Sequence, residues 1–274
     1  MAQLSLCQRV YYRLIRIYSI FEQFVNLPTV VKTFHNWPDF FLDLLNLQRD
    51  QLFHIYELKN GLKFKARART ADRLIILETA RGCYQPLGFE ILPGHIVVDI
   101  GGHIGDFAII AAKQGARVYT FEPERSNREL LISNIDLNAQ SNIEVSSKAV
   151  SDRKEVARIN INPNNTGCHS LVREYSRIFQ TVEATTLDEI MDGILEDRID
   201  FLKIDAEGAE FDILFSCSVK TLDRVHKIAL EFHHFQSNRN INQLVDLLQK
   251  NGFTVRVKTQ LFAITGMLYA QRST

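Results

Sequence analysis

A chain of 274 residues with a 46% hydrophobic fraction can bury a sizeable core, as one large domain or as one domain with an appendage. Its 32 basic and 32 acidic residues leave no net charge, which weighs against a general phosphate-binding surface and so against a nucleic-acid substrate. Cys7, Cys83, Cys168 and Cys217 form no CxxC pair, which speaks against zinc and for reduced thiols in a cytoplasmic protein, and no apolar run reaches the roughly 18 residues of a membrane-spanning helix.

Residues from about 4 to 47 have helical, aromatic-rich periodicity interrupted by Pro28 and Pro38. Arg9, Arg13 and Arg16 recur at helical spacing beside Tyr12, Ile15 and Ile17, and they break up the one candidate secretory signal. The favoured reading is a helix packed on its own domain with its arginines snorkelling outward. The alternative is a helix that touches a membrane surface or binds a partner, a second copy of the chain included. From Phe53 the period switches to two. Segments 56–59 and 62–65 flank Asn60-Gly61, a hairpin signal. A boundary is therefore expected here, with an N-terminal helical extension over 1–52 and the main domain over 53–274. A short helix over 73–80 carries Glu78, and a turn region with Tyr84, Pro86 and Gly88 leads to Pro93-Gly94.

The run Ile96-Val97-Val98-Asp99-Ile100, then Gly101, Gly102 and Gly105, then an amphipathic segment to Lys113, reads as a buried strand, a tight turn and a helix. Its glycines permit positive φ and let a ligand lie against the backbone. Further strands are expected over 117–121, 143–150, 201–204 and 228–232, with helices over 125–137, 209–215 and 241–251. This alternation predicts an α/β fold with a mostly parallel, doubly wound sheet and its ligand at the carboxyl ends of the strands. Segments 253–258 and 267–270 are too close in sequence for a crossover helix and should close the chain as an antiparallel hairpin. Residues 151–186 interrupt the pattern with strands over 156–161 and 180–184 and a polar loop between them, a candidate lid. In that loop Asn164, Asn165, Thr166, His169 and Ser170 suit a hydroxylated acceptor such as a sugar, an ordinary solvated loop being the alternative.

A nicotinamide fingerprint would need glycine at positions 103 and 106, where this chain has His103 and Asp106. What stands there is D-x-G-x-x-x-G, from Asp99 to Gly105. Asp99 puts a carboxylate where a pyrophosphate would approach, an arrangement that suits a cation such as S-adenosylmethionine. Glu122 ends the next strand about twenty residues on, the position from which a carboxylate grips both ribose hydroxyls. Ser151, with Asp152, follows the third strand where an adenine ring would be held, or forms an ordinary loop. A second cluster lies at residues 200–210, where Lys203 and Asp205 share a strand face and Glu207 and Glu210 share a first helical turn. Glu231 and His233 share a face of the next strand. Carboxylates at a helix start also have a purely electrostatic reason to be there, so Glu210 stays open. A divalent metal on Asp205, Glu207, Glu210, Glu231 and His233 is conceivable but disfavoured, since no spacing fixes a geometry.

These stretches, together with Phe121-Glu122-Pro123, Thr186-Leu187-Asp188, Ser170-Leu171 and Glu231-Phe232-His233, resemble the FkbM-type methyltransferases over about residues 55–255. Glu78 and Tyr84 fit the same pattern. Gly102-His103 stands where the family often has Ala-Asn, and Ala206 where valine is common. The resemblance implies a Rossmann-like class I methyltransferase with a seven-stranded sheet, acting on hydroxyls of small molecules or sugars with S-adenosylmethionine as donor. On that reading Glu78, Asp99, Gly101, Gly102, His103, Gly105, Glu122, Ser151 and Asp205 hold the cofactor. His233 or Asp205 is the expected general base, and Lys203 and Glu207 position the acceptor. A nicotinamide-dependent oxidoreductase and a non-catalytic scaffold of the same fold are the rival readings.

Overall fold

The computed structural model describes residues 27–48, 50–162, 165–233, 235, 239–259 and 265–272. Arg9, Arg13, Arg16 and Asn164 lie outside the described residues. The chain divides into two compact units, residues 1–69 and 70–274.

In the first unit, helices α1 (Leu27–Thr33) and α2 (Trp37–Leu44) precede a hairpin of β1 (Phe53–Glu57) and β2 (Lys63–Arg67). Pro38 sits in the first turn of α2, where its missing N–H leaves no helical bond unmade. Tyr56, Phe64 and Ala66 alternate along the hairpin and are fully buried. Phe34 and Phe40 pack on Tyr56 with ring centroids 5.6 and 6.4 Å apart. The hairpin thus belongs with the helices before it, and the unit ends at Arg69, beyond the boundary expected at residue 52.

The second unit opens with α3 (Asp72–Ala80) and is built on a seven-stranded sheet. Its strands are β3 (Ile96–Ile100), β4 (Arg117–Phe121), β5 (Ile143–Ser146), β9 (Ile199–Ile204), β10 (Val225–His233), β11 (Phe253–Thr259) and β12 (Thr265–Arg272). They lie in the order β11-β12-β10-β9-β3-β4-β5. Neighbours from β10 to β5 are parallel, and β12 is antiparallel to both β10 and β11. The closing hairpin is therefore as expected. All five residues of β3 are buried, because helices cover both faces of the sheet. Helices α4 (Asp106–Lys113) and α5 (Arg125–Leu137) follow β3 and β4. Helices α6 (Leu187–Gly193), α7 (Glu210–Ser216), α8 (Val219–Asp223) and α9 (Ile241–Lys250) belong to the second half. Strand order runs outward in opposite directions from the β3–β9 pair, which makes the crevice at their carboxyl ends the place for a ligand.

The strand expected over 143–150 is broken in two. Lys148 donates its backbone N–H to Ser146 Oγ, a local bond that competes with the ladder. The chain then leaves the main sheet as β6 (Ala149–Val150), which pairs with β8 (Phe179–Thr185) beside β7 (Glu155–Asn160) in a three-stranded sheet. The short helices α6 and α8 were not expected. Each is opened by a capping hydroxyl, Thr186 and Ser218 respectively.

Candidate active site

A cavity of about 1030 Å³ opens at the carboxyl ends of β3, β4, β9 and β10, with the loop after β7 and the C-terminal hairpin also on its wall. That size suits an extended organic ligand. Beyond Ile100 the backbone turns sharply, and the N–H groups of Gly101 and Gly102 both donate to the Phe121 carbonyl at 3.0 Å. Gly101 has φ +83°, and a Cβ there would lie 1.9 Å from the Asp205 carbonyl oxygen. Only glycine fits this crossing of the two strand ends.

Glu122 is buried on the wall of the cavity. One carboxylate oxygen accepts from the His103 N–H and the other from the Glu124 N–H, both at 2.8 Å. Each oxygen keeps a second lone pair for a ligand hydroxyl. Burial raises its pKa to about 7, against the pull of His103 and the two backbone donors. His103 itself is on the wall, held at φ +47°. Its ring lies 3.5 Å from Asp72 and 3.8 Å from Asp106.

Asp99 is placed differently from expectation. It is fully buried, accepts from Thr120 Oγ1 at 2.8 Å and pairs with Lys203 Nζ at 3.1 Å, and the cavity wall does not include it. Burial raises its pKa against the pull of Lys203. Burial alone would lower the Lys203 pKa, but Asp99 and Asp205 outweigh it and raise it. Lys203 in turn donates to the Gly101 carbonyl at 2.6 Å, so Asp99 steadies the turn from beneath. Gly102 and Gly105 likewise shape the turn without lining the cavity. Ser151 lines a different cavity, because β6 has left the main sheet, and Ala149 and Val150 take its place on the wall. Glu78 lines the cavity, and burial raises its pKa.

The second cluster does converge. Asp205 lines the cavity and accepts from Tyr84 OH at 2.9 Å, while its Oδ1 has no hydrogen-bond partner among the described residues. Glu207 lines the cavity too, at φ +48°. His233 is held between two acids, Nδ1 at 2.9 Å from Glu210 and Nε2 at 3.5 Å from Glu207. Burial opposes its charge, but the bond to Glu210 and the charges of Glu210, Glu207 and Asp205 win and push its pKa up to about 10. His233 is therefore an imidazolium near neutral pH. It does not line the cavity, where the base expected from the sequence would have to meet the acceptor. Glu210 is fully buried, bound to His233 and to the N–H groups of Ala206 and Gly208. Asp205, Glu210 and His233 offer ligand-type atoms within 4.8 Å of one another, yet this pairing already accounts for Glu210 and His233.

Glu231 was missed as a site residue, although it shares a strand face with His233. It lines the cavity half-buried and has neither a hydrogen bond nor an ion pair among the described residues. Burial, then the charge of Asp205, raises its pKa to about 8. Burial raises Glu207 to about 7, against the pull of His233. From the loop after β7, Asn165, Gly167, Cys168 and His169 reach the wall, whereas Ser170 is fully buried beneath it. Its Oγ donates to the Glu207 carbonyl at 2.5 Å. Together the glycine cradle, the lone pairs of Glu122, the unpartnered Asp205 oxygen and the excess of acids fit a ligand that carries both hydroxyls and positive charge.

A family model described as "Methyltransferase FkbM domain" matches residues 99–255. The chain is 26% identical over 205 residues to the 31-O-demethyl-FK506 methyltransferase FkbM of Streptomyces tacrolimicus, covering 63% of this chain and 78% of that protein. It is 27% identical over 217 residues to the AMB antimetabolite synthetase AmbE of Pseudomonas aeruginosa, where 64% of this chain matches 10% of that much longer protein. Among solved structures, an FkbM methyltransferase from Methylobacillus flagellatus matches with a TM-score of 0.48 and 19% identity, covering 71% of this chain and 52% of that one. Precorrin-6y C5,15-methyltransferase from Geobacter metallireducens matches with a TM-score of 0.47 and 14% identity, covering 74% and 93%.

Proposed function

The chain belongs to the FkbM methyltransferase family, with S-adenosylmethionine as methyl donor, and on that premise we propose that it methylates a hydroxyl of a small molecule or sugar. The observation that carries the reading is the cavity itself, with Glu122 and the Gly101 turn at one part of its wall and Asp205, Glu207 and Glu231 at another. The relative from Streptomyces tacrolimicus, named for a substrate lacking a methyl group on oxygen, supports an oxygen acceptor.

Bound S-adenosylmethionine supplies an electrophilic methyl group on a positively charged sulfur. Glu122 accepts the ribose hydroxyls, the Gly101 turn lets the ligand approach the backbone, and Ala149 and Val150 offer an apolar surface to the adenine ring. Asp205, held by Tyr84, and Glu78 supply negative charge for the cationic end. Lys203 fixes the turn through the Gly101 carbonyl, and His233 fixes Glu207 and Glu210. An alcohol is a poor nucleophile while protonated, so a carboxylate on the wall takes its proton, a contribution of about 10²–10⁴-fold. Of the two bases expected from the sequence, Asp205 alone reaches the cavity. The lid loop, with Asn165 and His169 on the wall, meets the acceptor. The catalytic domain extends over residues 70–274, and no helix among the described residues is long and apolar enough to cross a membrane. A cytoplasmic location fits that reading.

Methyl-labelled donor offered to fractionated metabolites and glycans, with products identified by mass, tests the proposal. Label appearing on an ether oxygen is the expected result, and label found only on nitrogen or carbon would overturn it. Isothermal titration separates the oxidoreductase rival, since the nicotinamide cofactors should show no binding.

A further inference from the structure

Among the described residues, Glu231 and Glu78 are the carboxylates of this cavity whose side chains have neither a hydrogen bond nor an ion pair, and Glu78, with the Arg81 charge acting on it, is the one assigned above to the cationic end of the cofactor. Asp205 is engaged by Tyr84 and Lys203 lies near it, while Glu207 is paired with His233 and Glu210 is sealed beneath. Glu231 instead stands free on β10, opposite Met267 of β12, half-buried on the cavity wall. We propose that Glu231 is the catalytic base that takes the proton of the acceptor hydroxyl, with Glu207 held beside it by His233. The assignment rests on the methyl-transfer reading above.

The step balances. Glu231 receives the hydroxyl proton as the acceptor oxygen forms its new bond to the methyl carbon, and the electron pair of the broken carbon–sulfur bond stays on sulfur. Before the step the cavity holds a sulfonium cation and an ionised Glu231; after it, a neutral thioether and a neutral carboxylic acid. Net charge in the cavity does not change. In a site of low dielectric this matters, because leaving one uncompensated charge behind would cost far more than in water.

The surroundings of Glu231 make the exchange workable. Facing it are Asp205 from the end of β9, Glu207 from the turn into α7, and His233 on its own strand. Glu78, Cys83 and Tyr84 face it from the end of α3 and the segment after it, and Tyr269 faces it from β12. Of the cations, His233 is already bound to Glu210, and Lys203, beside Asp205, is bound to Asp99, while Arg256 and Lys258 reach the cavity wall from β11. The other groups that act on Glu231 are acids or weak acids, so without a cationic ligand Glu231 and Glu207 resist ionising together, and they titrate as a pair. A sulfonium entering the same cavity favours the ionised form. A neutral thioether does not.

Cofactor binding should therefore displace a proton that product binding leaves in place. Isothermal titration of the full chain at pH 7.5, in two buffers of different ionisation enthalpy, counts the protons released on binding S-adenosylmethionine and S-adenosylhomocysteine. The expected excess for S-adenosylmethionine is about half a proton or more. Glu231→Gln should abolish that excess while still binding S-adenosylhomocysteine within about twofold of wild type, because one uncharged amide replaces a protonated acid. Glu231→Asp keeps the carboxylate and should retain the excess with its midpoint shifted along the pH axis, which covers the case of a glutamine variant that fails to fold. An excess that persists in Glu231→Gln, a midpoint unmoved in Glu231→Asp, or equal proton counts for the two ligands in wild type would overturn the assignment of Glu231 alone. Wild-type protein that bound neither ligand would overturn the methyl-transfer reading together with it.

Discussion

A methyl group added at Gly101 would lie 1.9 Å from the Asp205 carbonyl, at a φ of +83° that alanine adopts only under strain. Gly101→Ala should therefore cost about 2–3 kcal/mol, a sum of overpacking and backbone strain, and abolish cofactor binding. Urea unfolding and titration with S-adenosylmethionine check both effects, and a variant that kept wild-type affinity would remove the turn from the binding site. His233 gives the opposite kind of prediction. Its pairing with Glu210 is buried on both sides, so His233→Gln leaves a carboxylate without its cation and should cost about 3–5 kcal/mol. That loss is expected in protein without any ligand, where a base with no structural role would show nothing. The sequence singled out Gly101, Glu122 and Asp205, because turn glycines and strand-end acids leave a spacing that can be read directly, and all three line the cavity. It could not separate Glu231 from His233. Period two sets both on one face, but which of them meets Glu210 depends on how β10 lies beside the start of α7, and no local pattern encodes that. Asp99 lies off the cavity wall for a similar reason: it pairs with Lys203, which stands on a neighbouring strand.

At the scale of elements, the insertion between β6 and β8 is tied to the site by Thr166, Cys168 and Ser170, and the Ser170 hydroxyl holds the backbone of Glu207. Ser170 Oγ donates to the Glu207 carbonyl and accepts from the N–H groups of Val172 and Arg173. Glu207 sits at φ +48°, a conformation that needs support from its surroundings. Ser170→Ala removes the donor from the part-buried Glu207 carbonyl and the acceptor of two N–H groups, and should destabilise the protein by about 1–3 kcal/mol. Hydrogen exchange should rise locally, at residues 165–173 and around Glu207, ahead of global unfolding. Uniform loss of protection across the sheet would show instead that the loop is not anchored there. Strands β1 and β10 each begin three residues before the expected strand, whereas β3, β4, β7, β8, β9, β11 and β12 and the helices after β3 and β4 were legible within a residue or two. The break at Lys148 and the two hydroxyl-capped helices were not, because each depends on a single side chain competing with the backbone, and such bonds leave little trace in an apolar pattern.

Across the whole molecule, the same burial that prepares the site sets its response to pH. Glu122, Glu207 and Glu231 have folded pKa values of about 7, about 7 and about 8, all above the ordinary carboxylate value, and His233 is raised to about 10. For a group raised on folding, the stabilisation is complete below its unfolded pKa and is lost as pH rises through the folded one. All four therefore withdraw stability in the same direction, the acids between about pH 4.5 and 8 and His233 between about pH 6.5 and 10. Asp106 and Glu124 act oppositely, since hydrogen bonds lower them despite burial, and their contribution is lost as pH falls below the carboxylate range. The unliganded protein should thus melt highest on the mildly acidic side, at about pH 5–6, and fall steadily towards pH 9. Saturating S-adenosylmethionine should flatten the upper limb, because a cation in the cavity favours the ionised acids, whereas S-adenosylhomocysteine should raise the whole curve without changing its slope. Thermal melts across this range, with and without each ligand, read the result. A melting temperature that climbed from pH 6 to 9 in the absence of ligand would mean that burial does not raise the pKa values of these acids.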